Sequence, residues 1–288
     1  MTGDGQVPGL IRLGLIGDNI RQSRSPDLHR IAGQLCGLEV TYELLIPPEL
    51  GRDFDAVLDQ CAAGGFRGVN ITYPYKERVM ARVEAADPLI RRIGSVNTVV
   101  FDSGVIKGYN TDYTGFIAAY RQSFGTMAAG TVALIGAGGV GKAVAFGLLA
   151  IGATEMRIVD RDIAKAETLA ASLHRASGGT LRASGHARPE TALAGADGIV
   201  NCTPAGMVGY PGTPVPRPLL VGGKWAFEAV YTPIQTTFKS DAEASGLRVL
   251  SGYELFFHQG VQAFRIFTGR TPDDHEALRR RLAETARG

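Results

Sequence analysis

The chain has few cysteines and almost no net charge. Cys36, Cys61 and Cys202 stand far apart without C-x-x-C spacing, which argues against a disulfide framework and favours reduced thiols. A formal net charge of +2 argues against a dedicated nucleic-acid or membrane-surface binder. No apolar run approaches the roughly 18 residues of a membrane span. We therefore expect a soluble, cytoplasmic protein with neither nucleic acid nor membrane as a partner.

The length and the residue patterns predict two α/β domains. At 288 residues the chain is long enough for two hydrophobic cores. The first hundred residues alternate strand-like and helix-like patterns, which predicts a small domain with a mainly parallel sheet. A second strand–helix series follows, and two more helical patterns come after it. The predicted division is a substrate domain at 1–110, a dinucleotide domain at 111–253, and helices at 254–288 that pack back on the first domain.

The most informative stretch is a glycine-rich turn between two strand patterns. An apolar run at 132–135 leads into G-x-G-x-x-G at 136–141, and a helical pattern follows. This is the context in which the motif binds a dinucleotide in a Rossmann-type domain. Its glycines permit a tight turn and close approach of the backbone to a pyrophosphate, whose charge meets free N–H groups at the helix start. The motif predicts that Gly136, Gly138, Gly139, Val140 and Gly141 line a cofactor site.

An acidic residue at the end of the next strand pattern indicates which dinucleotide binds. Asp160 lies 19 positions past Gly141, where a carboxylate can accept both ribose hydroxyls of NAD. NADP would place a phosphate beside that charge, which makes it the less favoured cofactor. Arg161 is a counter-argument, since an arginine there can hold a 2′-phosphate. The interpretation we adopt is NAD.

Single polar residues in the first domain have ordinary structural explanations. Lys76 falls in the first turn of a predicted helix at 74–83, where the helix dipole disfavours a cation and so favours proton transfer. A solvated lysine paired with Glu77 is the alternative. Asp112 fits a capped helix start, and Ser25 fits an N-cap before Pro26. His29 and His258 lack ligand spacing, so no metal site is predicted.

Taken together, the polar motifs resemble those of the shikimate dehydrogenase family. The resemblance spans about 13–269, and its motifs are S-R-S-P at 23–26, N-I-T-Y-P-Y-K at 70–76, S-V-N-T at 95–98, G-Y-N-T-D at 108–112, G-A-G-G at 136–139, N-C-T-P-A-G-M at 201–207, Y-T-P at 231–233 and H-Q-G at 258–260. It implies a dehydrogenase that interconverts shikimate and 3-dehydroshikimate, a polyhydroxy cyclohexene carboxylate pair, with quinate and 3-dehydroquinate as further substrates.

The resemblance also implies a role for each matching residue. Lys76 and Asp112 would be the catalytic pair. The substrate-binding residues would be Ser23, Ser25, Asn70, Thr72, Asn97, Tyr231 and Gln259. Beyond the glycine turn, the cofactor site would be lined by Asp160, Arg161, Thr203, Val230 and Gly252.

The chain departs from the common biosynthetic pattern of that family in its cofactor segment. Those enzymes usually carry N-R-T after the second strand, whereas this chain has V-D-R-D at 159–162, which resembles the NAD-using quinate/shikimate branch. Ser25 favours shikimate, because quinate-selective relatives tend to have threonine there. A quinate- or amino-shikimate-preferring enzyme and a non-catalytic ligand sensor are the alternatives, and monomer and homodimer both stay open.

Overall fold

The computed structural model describes residues 9–285, which form two compact units. The first unit comprises residues 9–86, Val96–Thr111 and 260–285, and the second comprises Asp87–Ser95 and Asp112–Gln259. The strands are β1 Ile11–Ile16, β2 Val40–Leu45, β3 Gly68–Ile71, β4 Glu84–Ala85, β5 Thr98–Asp102, β6 Val105–Tyr109, β7 Thr131–Ile135, β8 Glu155–Val159, β9 Arg182–His186, β10 Gly198–Asn201, β11 Trp225–Glu228 and β12 Arg248–Ser251.

The helices alternate with these strands along most of the chain. They are α1 Ser25–Leu35, α2 Phe54–Ala63, α3 Pro88–Ile93, α4 Thr111–Phe124, α5 Gly139–Ala150, α6 Ile163–Ala176, α7 Pro189–Leu193, α8 Thr237–Ala244, α9 Gly252–Thr268 and α10 His275–Glu284, with short 3-10 helices at Arg78–Arg82 and Arg217–Leu220. Within residues 9–285, no helix is long and apolar enough to cross a membrane.

The sheet of the first unit is mainly parallel, as its sequence pattern predicts. Its strand order is β2-β1-β3-β5-β6-β4, and β5 runs antiparallel to both of its neighbours. A hairpin joins β5 to β6 through Ser103 and Gly104, both at positive φ, which is the geometry of a two-residue turn. Because β1 and β3 are parallel neighbours, the segments that follow them leave the sheet at the same edge.

The sheet of the second unit has the Rossmann-type order. Its strand order is β12-β11-β10-β7-β8-β9, and all strands are parallel. With β7–β12 numbered 1 to 6 and the sheet read from β9, the order is 3-2-1-4-5-6. The order reverses between β7 and β10, and dinucleotides bind at the carboxyl ends of the strands beside such a reversal. The predicted α/β architecture with a Rossmann-type domain is confirmed.

Alternate residues of β7 supply two hydrophobic cores, one on each face of this sheet. Val132 and Leu134 pack with Trp225 and Phe227, whereas Ala133 and Ile135 pack in the other cluster. Burial on both faces explains why the strands read as continuous apolar runs. In the first unit, residues of β1 pack with Ala263 and Phe267 of α9.

The segment that carries Lys76 differs from its prediction. The predicted helix at 74–83 is wrong: Tyr73–Pro74 is a cis peptide bond and helical turns begin only at Arg78, in a 3-10 helix. The Tyr75 N–H donates to the Thr72 carbonyl at 2.9 Å, closing a turn where the helix was expected to start. Lys76 therefore lies in a turn, and the helix-dipole argument for its chemistry does not apply.

Candidate functional site

The first unit holds a buried cluster of amides and hydroxyls where β3 ends. Asn70 lies on β3 and is 6 % exposed. Its amide nitrogen donates to the Asn97 carbonyl at 3.2 Å and to the Thr98 hydroxyl at 3.0 Å. Its oxygen accepts the Tyr42 hydroxyl at 2.8 Å. With both amide hydrogens used, the orientation of this side chain is fixed.

Asn97 connects the same cluster to the start of α4. Its side-chain oxygen accepts the Thr111 N–H at 2.7 Å, and its amide nitrogen donates to the Thr111 hydroxyl at 2.9 Å. A helix start leaves four N–H groups without an intrahelical partner, and the side chain of Asn97, just before β5, accepts one of them. Asn97 and Thr111 are both buried, so the two motifs predicted from sequence meet through this pair.

Ser23 and Ser25 lie next to each other at the start of α1. The Ser23 hydroxyl donates to the Ser25 hydroxyl at 3.2 Å and accepts the Ser25 N–H at 3.3 Å. The predicted N-cap role of Ser25 is wrong, since the N-cap is Arg24 and Ser25 is the first helical residue. Ser23 accepts the N–H of this first helical residue, so the two hydroxyls lie next to each other.

His29 follows Ser25 by one helical turn and packs on the cluster. Its ring stacks on Tyr42 with centroids 4.8 Å apart, and Tyr42 in turn donates to Asn70. Burial lowers the pKa of His29 to about 3, against a hydrogen bond with Asn70 that raises it. The ring is therefore neutral at pH 7, and the face of α1 that carries Ser25 is seated on the Asn70 cluster.

Lys76 is tied to this cluster through its backbone. Its carbonyl accepts the Val96 N–H at 2.9 Å, one residue before Asn97, and the residue is 9 % exposed. A buried ammonium needs partners or a neutral state, so a lysine here is unusual for a purely structural role. The structure places Lys76 beside Asn97 in the first unit.

The residues flanking Lys76 hold its turn on α2. The Tyr75 ring stacks on Phe54 at 4.7 Å, and its hydroxyl donates to Asp18 at 2.6 Å. Burial, followed by the bond to Asp18, raises the pKa of Tyr75 to about 12, so it stays a donor at physiological pH. Arg78 forms an ion pair with Asp55 of α2. The backbone of Lys76 is thereby fixed on both sides.

Thr72 occupies the point where the chain leaves β3. Its N–H donates to the Ile16 carbonyl at 2.9 Å, continuing the pairing of β1 and β3. A Cβ on Gly17 would lie 2.3 Å from the Thr72 methyl, so this approach requires glycine. Thr72 is half-buried. It lies where the segment after β1, which leads to Ser23, and the segment after β3, which leads to Lys76, leave the sheet at the same edge.

In the second unit, Asp112 lies one helical turn from a close contact between α4 and α9. Asp112 is 4 % exposed in the first turn of α4. On the same face of the helix, a Cβ on Gly115 would lie 2.8 Å from the Gln259 backbone nitrogen. The missing side chain lets the two helices approach closely, which brings Asp112 and Gln259 into one neighbourhood.

Tyr231 lies against the same helix α9. Its ring stacks on Phe256 with centroids 4.7 Å apart, and the Phe256 carbonyl accepts the Gln259 side-chain amide at 3.0 Å. The structure thus brings Asp112, Tyr231 and Gln259 around the middle of α9. The other predicted substrate residues and Lys76 belong to the first unit.

The glycine turn after β7 has the shape that its motif predicts. Gly136 has φ +100°, and a Cβ on Gly141 would lie 1.8 Å from the Gly136 carbonyl oxygen. A Cβ on Gly138 would meet nothing within 4 Å, and no side chain caps the start of α5 there. The amides of Gly139 and Val140 at that start are placed as an anion site requires.

Asp160 is held in place by backbone amides at the end of β8. One carboxylate oxygen accepts the Ala137 N–H at 2.8 Å, and the other accepts the Asp162 N–H at 2.9 Å. A carboxylate has about four acceptor positions, so two remain for ribose hydroxyls. Arg161 is exposed. Together with the open side of Gly138, this arrangement fits the adenosine half of a dinucleotide.

Thr203, Val230 and Gly252 lie near the carboxyl ends of β10 and β11. The Thr203 hydroxyl donates to Asn201 at 2.7 Å, and the Val230 N–H donates to Glu228 at 3.0 Å. A Cβ on Gly252 would lie 2.5 Å from the Ala229 carbonyl. These three predicted cofactor residues are therefore connected through the strand ends.

Two buried residues of this region do not stand out in the sequence. Glu228 is 0 % exposed at the end of β11, and Ser95 donates to the Gly139 carbonyl at 3.0 Å. Burial raises the pKa of Glu228 to about 7, against hydrogen bonds from Thr236, Val230 and Asn201 that lower it. A glutamate that closes an apolar strand run, W-A-F-E at 225–228, is the available signal for it.

The chain matches two family models. Residues 15–99 match the shikimate dehydrogenase substrate binding domain, and residues 118–206 match the shikimate / quinate 5-dehydrogenase model. The first match covers the Asn70 cluster and Lys76, and the second covers the glycine turn and Asp160.

Curated relatives match over most of the chain. A quinate/shikimate dehydrogenase (NAD(+)) of Corynebacterium efficiens is 40% identical over 268 residues, which are 91% of this chain and 94% of that protein. A shikimate dehydrogenase (NADP(+)) of Streptomyces avermitilis is 40% identical over 272 residues, 92% of this chain and 93% of that protein. Relatives with either cofactor in their names are thus equally similar to this chain.

A solved structure shares the fold along nearly the whole chain. Quinate dehydrogenase from Corynebacterium glutamicum in complex with NAD has a TM-score of 0.84 and 35% sequence identity, with 95% of this chain and 99% of that one covered. The two-unit architecture is therefore that of a solved dinucleotide complex.

Proposed function

Since the chain belongs to the shikimate dehydrogenase family of oxidoreductases, we propose that it catalyses reversible NAD-linked hydride transfer between shikimate and 3-dehydroshikimate. The same site would act on quinate and 3-dehydroquinate. The observation that carries this proposal is the placement of Lys76, a buried amine in a fixed turn beside the Asn70–Asn97 cluster. A nicotinamide dinucleotide is the cofactor that the relatives' names and the second unit support.

Lys76 and Asp112 would share the proton chemistry. When bound, the nicotinamide accepts or returns the hydride of the ring carbon that bears the reacting hydroxyl. The Lys76 Nζ would take the hydroxyl proton as the carbonyl forms, and would return it in the reverse direction. Asp112, a buried carboxylate, would orient and assist that amine.

The amides and hydroxyls would bind the polyol. A cyclohexene carboxylate with several hydroxyls needs partners that both donate and accept, as serine, threonine, asparagine and glutamine do. In the first unit these would be Ser23, Ser25, Asn70, Thr72 and Asn97. In the second unit they would be Tyr231 and Gln259, which both contact Phe256 of α9. The proposal keeps the predicted domain roles, with substrate groups mainly in 1–110, cofactor groups in 111–253 and helices in 254–288 that pack back on the first domain.

The preference for NAD over NADP rests on Asp160. Its carboxylate is fixed by two backbone amides, so it cannot swing away from a 2′-phosphate. Two unit charges about 4 Å apart repel by ~1 kcal/mol in water and by ~4 kcal/mol at an effective dielectric near 20. This range corresponds to roughly a tenfold to several-hundredfold preference. Arg161 is exposed and would offset part of it.

Shikimate would be favoured over quinate by a modest factor. Quinate differs by an added ring hydroxyl, and a site without a repulsive feature rejects such an analogue by roughly a hundredfold or less. Ser25 supports shikimate through the family resemblance, because quinate-selective relatives tend to have threonine there. A cytoplasmic location and a monomeric or homodimeric state remain part of the proposal.

A panel of two cofactors against two substrates tests this function. The purified protein is assayed for nicotinamide absorbance change with NAD or NADP and with shikimate or quinate. We expect the highest kcat/KM with NAD and shikimate, and measurable turnover of quinate with NAD. Absence of turnover in all four combinations would contradict the enzyme assignment, and a higher kcat/KM with NADP would contradict the cofactor argument alone.

A further inference from the structure

We propose that Glu228 is a positioning residue for the nicotinamide half of the cofactor site, an inference that rests on the proposed function. It lies at the carboxyl end of β11 and is fully buried. It would act through the residues it holds rather than by touching the reacting atoms.

Three donors from separate segments converge on the Glu228 carboxylate. One oxygen accepts the Asn201 side-chain amide at 2.9 Å and the Val230 N–H at 3.0 Å, and the other accepts the Thr236 hydroxyl at 2.6 Å. These donors come from the end of β10, the turn after β11 and the start of α8. A single buried side chain therefore connects the end of β10 with the segment between β11 and α8.

Two of these donors connect Glu228 to predicted cofactor residues, and a third predicted cofactor residue packs on the Glu228 backbone. Asn201 passes the constraint to Thr203, whose N–H and hydroxyl both donate to the Asn201 oxygen at 2.9 and 2.7 Å. Val230 is held directly through its backbone. Gly252 packs on the same strand end, where an added Cβ would lie 2.6 Å from the Glu228 carbonyl.

The strand order assigns these residues to one half of the dinucleotide. A doubly wound sheet consists of two mononucleotide-binding halves on either side of the reversal. Asp160 follows β8 in the half formed by β7–β9, where the adenosine ribose binds. Asn201 and Glu228 end β10 and β11 in the other half. What Glu228 holds is therefore the side that receives the nicotinamide mononucleotide.

A carboxylate suits this position better than the isosteric amide. All three partners donate, and a carboxylate accepts on both oxygens. In Glu228→Gln, with the amide oxygen on Asn201 and Val230, the NH₂ would face the Thr236 hydroxyl, which would have to accept and would leave its own buried hydrogen without a partner. The Thr203 and Val230 segments would then lose their fixed geometry while the outline of the core stays the same.

The decisive measurement compares NAD with ADP as ligands, by isothermal titration calorimetry on the full chain. ADP carries the adenosine and both phosphates but neither nicotinamide nor its ribose. We expect Glu228→Gln to raise the Kd for NAD by about tenfold to a hundredfold and to leave the Kd for ADP within about twofold. Retained ADP binding also reports that the second unit is folded.

Asp197→Asn is the matched control. Asp197 is a partly buried carboxylate near the amino ends of the same strands, where it accepts the Thr131 N–H at 2.9 Å and pairs with Lys224 at 2.7 Å. Losing that charge should lower thermal stability but leave both dissociation constants near those of the native protein. In steady-state assays, Glu228→Gln should raise the KM for NAD and leave the KM for shikimate unchanged, and Glu228→Asp should recover part of the loss.

The outcomes separate this inference from the proposed function. If the native protein binds NAD and Glu228→Gln binds it equally well, the positioning role is wrong although the enzyme assignment stands. If the native protein binds neither NAD nor NADP, the proposed function itself fails; if it binds only NADP, the same comparison is made with NADP in place of NAD. Should Glu228→Gln lose ADP binding as well, Thr236→Val removes one donor more gently. It should weaken NAD binding by about twofold to fivefold with ADP unaffected, and an unchanged Kd for NAD would overturn the inference.

Discussion

The two units build their buried polar clusters from different chemistry. In the first unit, Asn70, Asn97 and Thr98 form a neutral network in which most groups both donate and accept. In the second unit, Glu228 is a fixed acceptor on which three donors converge. A neutral amide network suits a ligand rich in hydroxyls, whereas fixed acceptors orient backbone amides and hydroxyls around a charged cofactor. The difference follows the two kinds of ligand that the family handles.

Each unit also buries a titratable group whose pKa is shifted, and the two shifts have opposite directions. Burial lowers the pKa of His29 in the first unit to about 3 and raises the pKa of Glu228 in the second to about 7. The cause is the same in both, because a low-dielectric interior disfavours the charged form. The histidine is therefore held neutral at pH 7, whereas burial of the glutamate is opposed by the three hydrogen bonds that stabilise its carboxylate.

The largest expected effect tests whether the first unit supplies the chemistry. Lys76→Ala should lower kcat by about a hundredfold to ten-thousandfold, because general acid–base groups contribute that much. Single-turnover absorbance measurements with NAD and shikimate would show the loss. Lys107→Ala is the control, since Lys107 is an exposed lysine of the same sheet paired with Asp102 at 3.0 Å. Turnover of Lys76→Ala at the native rate would remove the catalytic assignment.

The next effect tests what the second unit contributes to cofactor choice. Asp160→Ser should shift the ratio of kcat/KM for NAD over NADP toward NADP by about tenfold to a hundredfold, since it removes the repelling charge. Initial rates with both cofactors give the ratio. Asp162→Asn controls for a nearby acid, because Asp162 caps α6 through the Ala164 N–H, and its ratio should change less. An unchanged ratio in Asp160→Ser would refute the electrostatic argument.

A smaller effect separates the two units by the pH dependence of stability. The folded pKa of Glu228 lies above its unfolded value of 4.5, so its contribution is present below pH 4.5 and is lost as pH rises toward about 7. The folded pKa of His29 lies below its unfolded value of 6.5, so stability is lost as pH falls from 6.5 toward about 3. In the native protein the two groups therefore change the free energy of unfolding in opposite directions between pH 4.5 and 6.5.

Replacing one group at a time should show the pH dependence of stability that each group contributes. Relative to the native protein, the Tm of Glu228→Gln should fall more steeply on acidification, because the opposing contribution is gone. The Tm of His29→Asn should instead rise relative to native as the pH is lowered. Differences of several degrees across the window are expected for a chain of this size. Thermal melts at half-unit pH steps suffice, and curves that stay parallel to the native one would show that neither group is displaced in this way.

The smallest effect concerns substrate choice. Ser25→Thr adds a methyl group at a residue that is 8 % exposed and touches Ser23. The ratio of kcat/KM for shikimate over quinate should fall by roughly threefold to tenfold, the scale of one methyl in a pocket. Competition between the two substrates measures the ratio directly. Ser184→Thr, at an exposed position of strand β9 in the second unit, should leave it unchanged.

Local features of this fold are predictable from the sequence and long-range ones are not. The glycine turn is predictable because its requirements lie within a few residues, as in the contact of Gly141 with Gly136. The helix expected at 74–83 fails because the Thr72–Tyr75 turn, rather than local propensity, decides the backbone there. Glu228 escapes prediction because its partners are contributed by three separate segments, and the same holds for Tyr42 on Asn70.

The two amides bound by Asp160 constrain how a lineage of such enzymes could change its coenzyme. The carboxylate that we propose disfavours NADP also accepts the Ala137 N–H of the glycine turn and the Asp162 N–H at the start of α6. Replacing it removes a charge and two anchors in one step. A change of coenzyme would then require a second substitution that restores the two hydrogen bonds. Variants that carry only the first substitution would have a less well fixed glycine turn.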